Sequence, residues 1–305
     1  MDLQNYVHET ALTDRIPSQA RAIEIALFGI AGEAGELVSE AKKCFRDDIP
    51  LETVLDRVGE EVGDLLWYVA MLVRRLDLNL NTIAVDNLSK TRQIWIEELP
   101  PPPHYDDHPY DGQKLPREFT IEFAEDRTVD PPRVYMIAHD DLGARADDER
   151  RRKGKNIDRP GQLGDPLDDN SASDDGYRYH DIIHLGHTAV LGWSPVFRSL
   201  VGAKRKSVDD NDRIQDGARA VAIEEGLAAF TYSYMESFGF APDSFDWDLF
   251  KHVRQAVRGL EVADQPFIAW RYAYAQAFEI FQELKTRGGG IVKCNLNARK
   301  LWLEE

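Results

Sequence analysis

Two cysteines in 305 residues, Cys44 and Cys294, are too few for a disulfide framework and read as reduced thiols. Long apolar runs are missing too: no stretch approaches the roughly 20 residues of a membrane helix. No signal-peptide pattern opens the chain, so a cytoplasmic protein with no membrane partner is expected. Positive charge is scarce. With 37 Lys and Arg against 54 Asp and Glu, the formal net charge is −17, which argues against non-specific binding of nucleic acid. An anionic substrate would need a metal ion or a local cluster of cations. No repeat of solenoid type is present. The remaining composition is that of a globular protein, 43% hydrophobic, and its length favours two domains.

Residues 1–98 read as helices. Ser18 is placed to cap a helix whose apolar residues Ile23, Ala26, Leu27, Ile30, Leu37, Val38 and Ala41 follow the 3.6-residue period. Residues 46–50 break it. A second helix is expected from Glu52 to Leu76, about 40 Å long, and a third from Asn81 to Glu97. Four consecutive prolines, Pro100 to Pro103, stop the helical pattern and favour an extended spacer. The expected organisation is a helical domain over 1–98, a Pro-rich linker over 99–112 and a second domain over 113–305. In the second domain, 118–123 and 133–138 read as paired strands and 140–176 as a long loop. Helical patterns follow at 177–201, 213–238, 246–260 and 265–286, with a last piece near 290–303. The fold class is therefore mainly α: an N-terminal four-helix bundle and a mostly helical C-terminal domain with a small β-hairpin.

The pairs Glu33/Glu36 and Glu61/Asp64 carry the most chemistry. Each holds two carboxylates three residues apart, close to one helical turn, within an apolar stripe. Glu33 lies between Ile30 and Leu37, and Glu61 between Val58 and Leu65. An acid on a core face is expensive unless a counter-charge accompanies it. Four such acids suit a hard divalent cation, which takes oxygen ligands. Gly29, Gly32, Gly35, Gly59 and Gly63 would let the two helices approach closely. Incidental charges on two amphipathic helices are the plainer reading of either pair alone.

Gly32-Glu33-Ala34-Gly35-Glu36-Leu37, then Glu60 to Tyr68, then Asn87-Leu88-Ser89-Lys90 resemble the MazG family of all-α nucleoside triphosphate pyrophosphohydrolases. That family's ExxE and ExxD pairs are matched with 24 residues between Glu36 and Glu61. The resemblance covers residues 18–96. It implies hydrolysis of nucleoside triphosphates between the α- and β-phosphates, giving a monophosphate and pyrophosphate. It also implies magnesium, or manganese in its place, held by Glu33, Glu36, Glu61 and Asp64, and a homodimer or higher homo-oligomer. Glu60 or one of the ligands would serve as base. Asn87 and Lys90 match nucleotide-contacting positions and, beside Ile83 and Ile94, are expected to point inward. Lys42 and Lys43 are weaker phosphate candidates. Trp67 could stack on a base, although an aromatic in such a stripe is more often core.

A second constellation holds His180, His184 and His187 at i, i+4, i+7, with Glu224 on a later helix. Neutral imidazoles suit a transition metal. The spacing is reminiscent of zincin peptidases, but His-Asp-Ile-Ile-His lacks the glutamate of their HExxH motif. Histidines paired with acids inside a helical core fit as well. Residues 164–170, 179–184, 192–195, 204–207, 216–220 and 224–226 resemble the C-terminal domain that accompanies some MazG-like proteins. Lys204-Arg205-Lys206 would be either a solvated turn or a phosphate-facing patch. Two alternatives to the pyrophosphohydrolase reading stand: a nucleotide-binding regulatory module with little turnover, and a C-terminal domain that is itself a metal-dependent hydrolase.

Overall fold

The computed structural model of the chain describes residues 2–95, 98–241 and 244–304. It divides into two compact units, Met1–Arg92 and Gln93–Glu305. No helix among the described residues is long and apolar enough to cross a membrane.

The first unit begins with a short helix α1 (Leu3–Glu9), capped by Asp2. Ser18 then caps α2 (Gln19–Asp47), its hydroxyl accepting the Arg21 N–H at 3.4 Å. The helix stops where Asp48 turns left-handed, inside the break read from residues 46–50. α3 (Leu55–Arg75) follows and packs along α2. Asp77 takes a positive φ, Asn79 accepts the Thr82 N–H, and α4 (Leu80–Trp95) begins. Its expected end at Glu97 lies outside the described residues.

Glycine permits the α2–α3 approach at one point. A Cβ on Gly29 would meet the Tyr68 ring at 2.4 Å, whereas one on Gly32, Gly35, Gly59 or Gly63 would meet nothing within 4 Å. Four of the five glycines expected to bring the helices together therefore face open space. The buried core of this unit is correspondingly thin: Val7, Ala70, Val73 and Leu80 in one cluster, and Ala22, Ala26 and Met71 in another. Val38, from the apolar stripe of α2, remains exposed, as do Phe28, Val62 and Leu66.

The second unit is built on a five-stranded antiparallel sheet in the order β3-β2-β1-β4-β5. The expected pair is present as β1 (Glu118–Asp126) and β2 (Arg133–Ala138), with Ile121 opposite Ala138. Phe119, Ile121 and Phe123 alternate into the core, which a long helix, α10 (Phe267–Arg287), joins through Phe278, Phe281 and Leu284.

Several expectations for this unit are corrected. Residues 140–176 are not one loop, because α5 (Asp140–Arg152) and β3 (Gln162–Leu167) lie within them. α5 is so dense in charge that only Leu142 and Ala146 mark its apolar face. Its acids in the first turn and arginines in the last suit the helix dipole. The expected helix at 177–201 is broken into α6 (Asp181–Gly186), a π-turn over 187–191 and α7 (Pro195–Leu200), which Ser194 caps. α8 (Ala218–Glu236), α9 (Trp247–Ala256) and α10 (Phe267–Arg287) correspond to the remaining helical patterns.

The piece near 290–303 is a hairpin, β4 (Gly289–Asn295) and β5 (Lys300–Leu303), so the sheet is larger than a single β-hairpin. Gly289 makes it possible: its φ is +119°, and a Cβ there would lie 2.3 Å from the Phe123 carbonyl oxygen. The proline segment is not a free spacer. Arg299 Nη1 donates to the Pro100 carbonyl at 2.7 Å, and Leu99 and Tyr105 pack on the core of the second unit.

Candidate functional sites

α2 and α3 bring Glu33, Glu36 and Glu61 together. One carboxylate oxygen of each lies within 4.8 Å of the others. Glu33 and Glu61 are partly buried, and Glu36 and Asp64 are exposed. The Glu61 carboxyl is raised above the usual glutamate range, first by partial desolvation, then by the charges of Glu36 and Glu33, a hydrogen bond with Glu33 and the charge of Asp64. None of the four makes an ion pair with a lysine or arginine among the described residues. Glu60 is exposed beside them.

The other residues singled out in this unit divide. Lys43 is engaged by Glu40, which Arg57 also approaches at 3.4 Å, so its charge is already compensated; Lys42 is exposed. Trp67 is half-buried against Ala22, Ala26 and Met71, and its indole N–H donates to Thr13 Oγ1 at 2.9 Å. That places it in the core rather than on an open stacking surface. Asn87 and Lys90 do not point inward. Both are exposed on α4, as are Ile83, Val85 and Leu88, because the helix buries only Leu80.

In the second unit His184 and His187 meet Glu224, and His180 neighbours His184, although the histidines do not share one straight helix. Glu224, fully buried on α8, accepts through Oε1 from His184 Nδ1 at 3.0 Å and His187 Nδ1 at 3.1 Å. Its Oε2 accepts the Val196 N–H at 2.8 Å. Burial would raise its pKa, but the charge and hydrogen bond of His184, followed by those of His187, outweigh it and hold the carboxyl below the usual range. His187 is shifted down, chiefly by burial among Trp193, Trp270 and Tyr274. Burial also opposes charge on His184, yet Glu224, Glu225 and Asp181 together raise it well above the ordinary imidazole value.

Two residues with larger roles than their spacing implied are Asp181 and Glu225. Asp181 Oδ1 lies 3.7 Å from His180 Nε2 and 3.9 Å from His184 Nε2, and Glu225 Oε2 lies 3.4 Å from His184 Nε2. The signal was the acid adjacent to each chosen residue, His180-Asp181 and Glu224-Glu225, whose direction only the fold could give.

The apparent basic patch loses its central residue, while Lys204 is half-buried and Lys206 exposed. Arg205 is fully buried and pairs with Asp216 and Glu261, each at 2.7 Å, so it is part of the core and is not available to a phosphate. Arg178 is likewise consumed by Glu125, Asp169 and Asp174.

A stretch of 64 residues, 20% of this chain, is 42% identical to the Gene 37 protein of Mycobacterium phage L5. The match spans 56% of that protein's length. No solved structure matches. Residues 141–305, more than half of the chain, match the family model of the MazG C-terminal domain, and the chain belongs to that family.

Proposed function

We propose that the protein hydrolyses nucleoside triphosphates between the α- and β-phosphates, with Glu33, Glu36, Glu61 and Asp64 holding a divalent cation, magnesium in the first instance. The convergence of Glu33, Glu36 and Glu61 from two packed helices carries this reading. A Glu61 carboxyl raised by partial desolvation and by the charges of Glu36 and Glu33, with no ion pair to lysine or arginine among the described residues, fits an oxygen-liganded cation. When bound, such a cation would neutralise phosphate oxygens and make a water more acidic. Glu60, or one of the four carboxylates, accepts the proton of the attacking water at a side-chain oxygen. The exposed Lys90 and Asn87 reach the triphosphate and nucleotide, and Lys42 is a secondary contact. Family membership and the acid pairs of α2 and α3 support the same activity from different parts of the chain.

The unit is completed by a second copy. The exposed Phe28, Val38, Val62 and Leu66, together with glycines that face open space, leave more apolar surface on α2 and α3 than one chain covers. A homodimer closing over these helices would also bring cover to the carboxylates.

The test is a panel of ribo- and deoxyribonucleoside triphosphates with Mg²⁺, read as pyrophosphate and monophosphate together. Both products should appear, and Glu61→Gln should abolish them. Release that persists in that variant would remove the assigned site. Nucleotide bound without turnover would make the protein a regulatory binding module instead.

A further inference from the structure

Hydrogen bonding fixes how the histidines of the second unit are protonated. A carboxylate and a carbonyl only accept, so His184 and His187 must each carry a proton on Nδ1 to bond Glu224. The same holds for His180, whose Nδ1 donates to the Tyr177 carbonyl at 2.8 Å. Each ring therefore turns its Nε2 away from those partners. At His187 that atom is buried without a hydrogen-bond partner, in a ring packed against Trp193, Trp270 and Tyr274. At His184 it is buried, makes no hydrogen bond, and faces Glu225 and Asp181. His180 Nε2 faces the same Asp181 oxygen.

Three donor atoms thus converge, with Glu225 Oε2 beside them at His184 Nε2, where a divalent ion would take the place of the second imidazole proton. One donor atom each of His180, Asp181 and His184 lie within 4.8 Å of one another. The separations of 3.7 and 3.9 Å are too long for hydrogen bonds. A tetrahedral ion with bonds of about 2.1 Å needs donors about 3.4 Å apart, which is close to the two Asp181 separations of 3.7 and 3.9 Å and to the 3.4 Å between His184 and Glu225. We infer that His180 Nε2, Asp181 and His184 Nε2, with Glu225 adjacent to His184, form a binding site for one divalent transition-metal ion, separate from the carboxylate cluster of the first unit.

This assignment changes the roles expected from the spacing of the histidines. Glu224 and His187 are not ligands, because their facing atoms are spent on each other. Glu224 instead orients His184 through Nδ1–H, as an outer carboxylate does for a ligating imidazole. The Tyr177 carbonyl does so for His180, whose ring the Tyr177 side chain also stacks against at 4.2 Å. Imidazole nitrogen together with carboxylate oxygen selects zinc-like ions over magnesium. Glu225, with its side chain 48% exposed, leaves a route from solvent and room for a water ligand.

The experiment uses the full chain carrying Glu33→Gln and Glu61→Gln, so that the first-unit acids do not compete, stripped with a chelator and titrated with Zn²⁺ and Co²⁺. One equivalent per chain should bind, Co²⁺ should give the visible spectrum of mixed nitrogen and oxygen ligation, and Zn²⁺ should raise Tm. Glu225→Gln, at an exposed position that folding tolerates, should weaken Zn²⁺ at least tenfold, and His180→Gln at least a hundredfold. Glu224→Gln should cost about 10–100-fold through its outer role. Absence of a stoichiometric equivalent in the parent overturns the site, whatever the variants do. So does binding that neither Glu225→Gln nor His180→Gln weakens.

Discussion

Removing the Asp216 carboxylate tests how the second unit is held together. Asp216 is fully buried and accepts three hydrogen bonds from Arg205: the backbone N–H at 2.7 Å, Nε at 3.1 Å and Nη2 at 2.7 Å. Arg205 is equally buried and keeps only Glu261 and the Tyr105 carbonyl when Asp216 is lost. Breaking a buried pair from one side costs about 3–5 kcal/mol, because the remaining charge stays out of water. Glu261 still neutralises the guanidinium, so Asp216→Ala should fall near the lower end, about 3 kcal/mol. In a unit of this size that lowers Tm by about 6–12 °C. Urea and thermal unfolding followed by tryptophan fluorescence would read it, since Trp193 and Trp270 are buried in the same unit. The difference should persist at about 1 M NaCl, where exposed pairs are screened within about 3 Å. A loss below about 1 kcal/mol, or one that salt removes, would show that the pair is solvated and the reasoning wrong.

Gly29→Ala should destabilise the first unit by about 1–3 kcal/mol, because its Cβ would sit 2.4 Å from the Tyr68 ring; a chemical-denaturation midpoint checks this. Asp14, buried beside Arg74 and Arg75, is pushed up by burial but brought below its usual value by the Ile16 N–H and the two arginines. Its contribution is therefore present above the ordinary carboxyl range and lost as pH falls through the lower folded value. Asp14→Asn should flatten the stability curve below about pH 4 while lowering stability at neutral pH, and an unchanged acid limb would refute it. If a second copy covers α2 and α3, Phe28→Ser with Val62→Ser should shift sedimentation from dimer to monomer at micromolar concentration. Equal sedimentation of parent and variant as monomers would remove the dimer.

Much of the local structure was readable from residues that act on their own neighbourhood. Ser18 and the break after Arg46 set the ends of α2, and alternation set β1 and β2, because caps and periodicity are properties of a few adjacent residues. The helix α5 and the strands β4 and β5 were not readable in the same way. α5 buries only a narrow face against the sheet, and β4 is a strand because Gly289 lets it lie against Phe123 of β1.

The sites follow the same division. The sequence by itself singled out the candidates: two acid pairs at one-turn spacing, and three histidines with Glu224 on a later helix. Within a helix, spacing fixes direction, so the meeting of Glu33 and Glu36 was legible, and two packed amphipathic helices brought Glu61 to them. Only the tertiary structure decided the partners. It turned Arg205 from a basic patch into a buried ion pair, left Asn87 and Lys90 exposed, and set Glu224 behind His184 while Asp181 and Glu225 face its Nε2. The physical reason is that a side chain's role depends on what is close in space, and α8 meets α6 across a sequence separation of 40 residues that no local pattern spans.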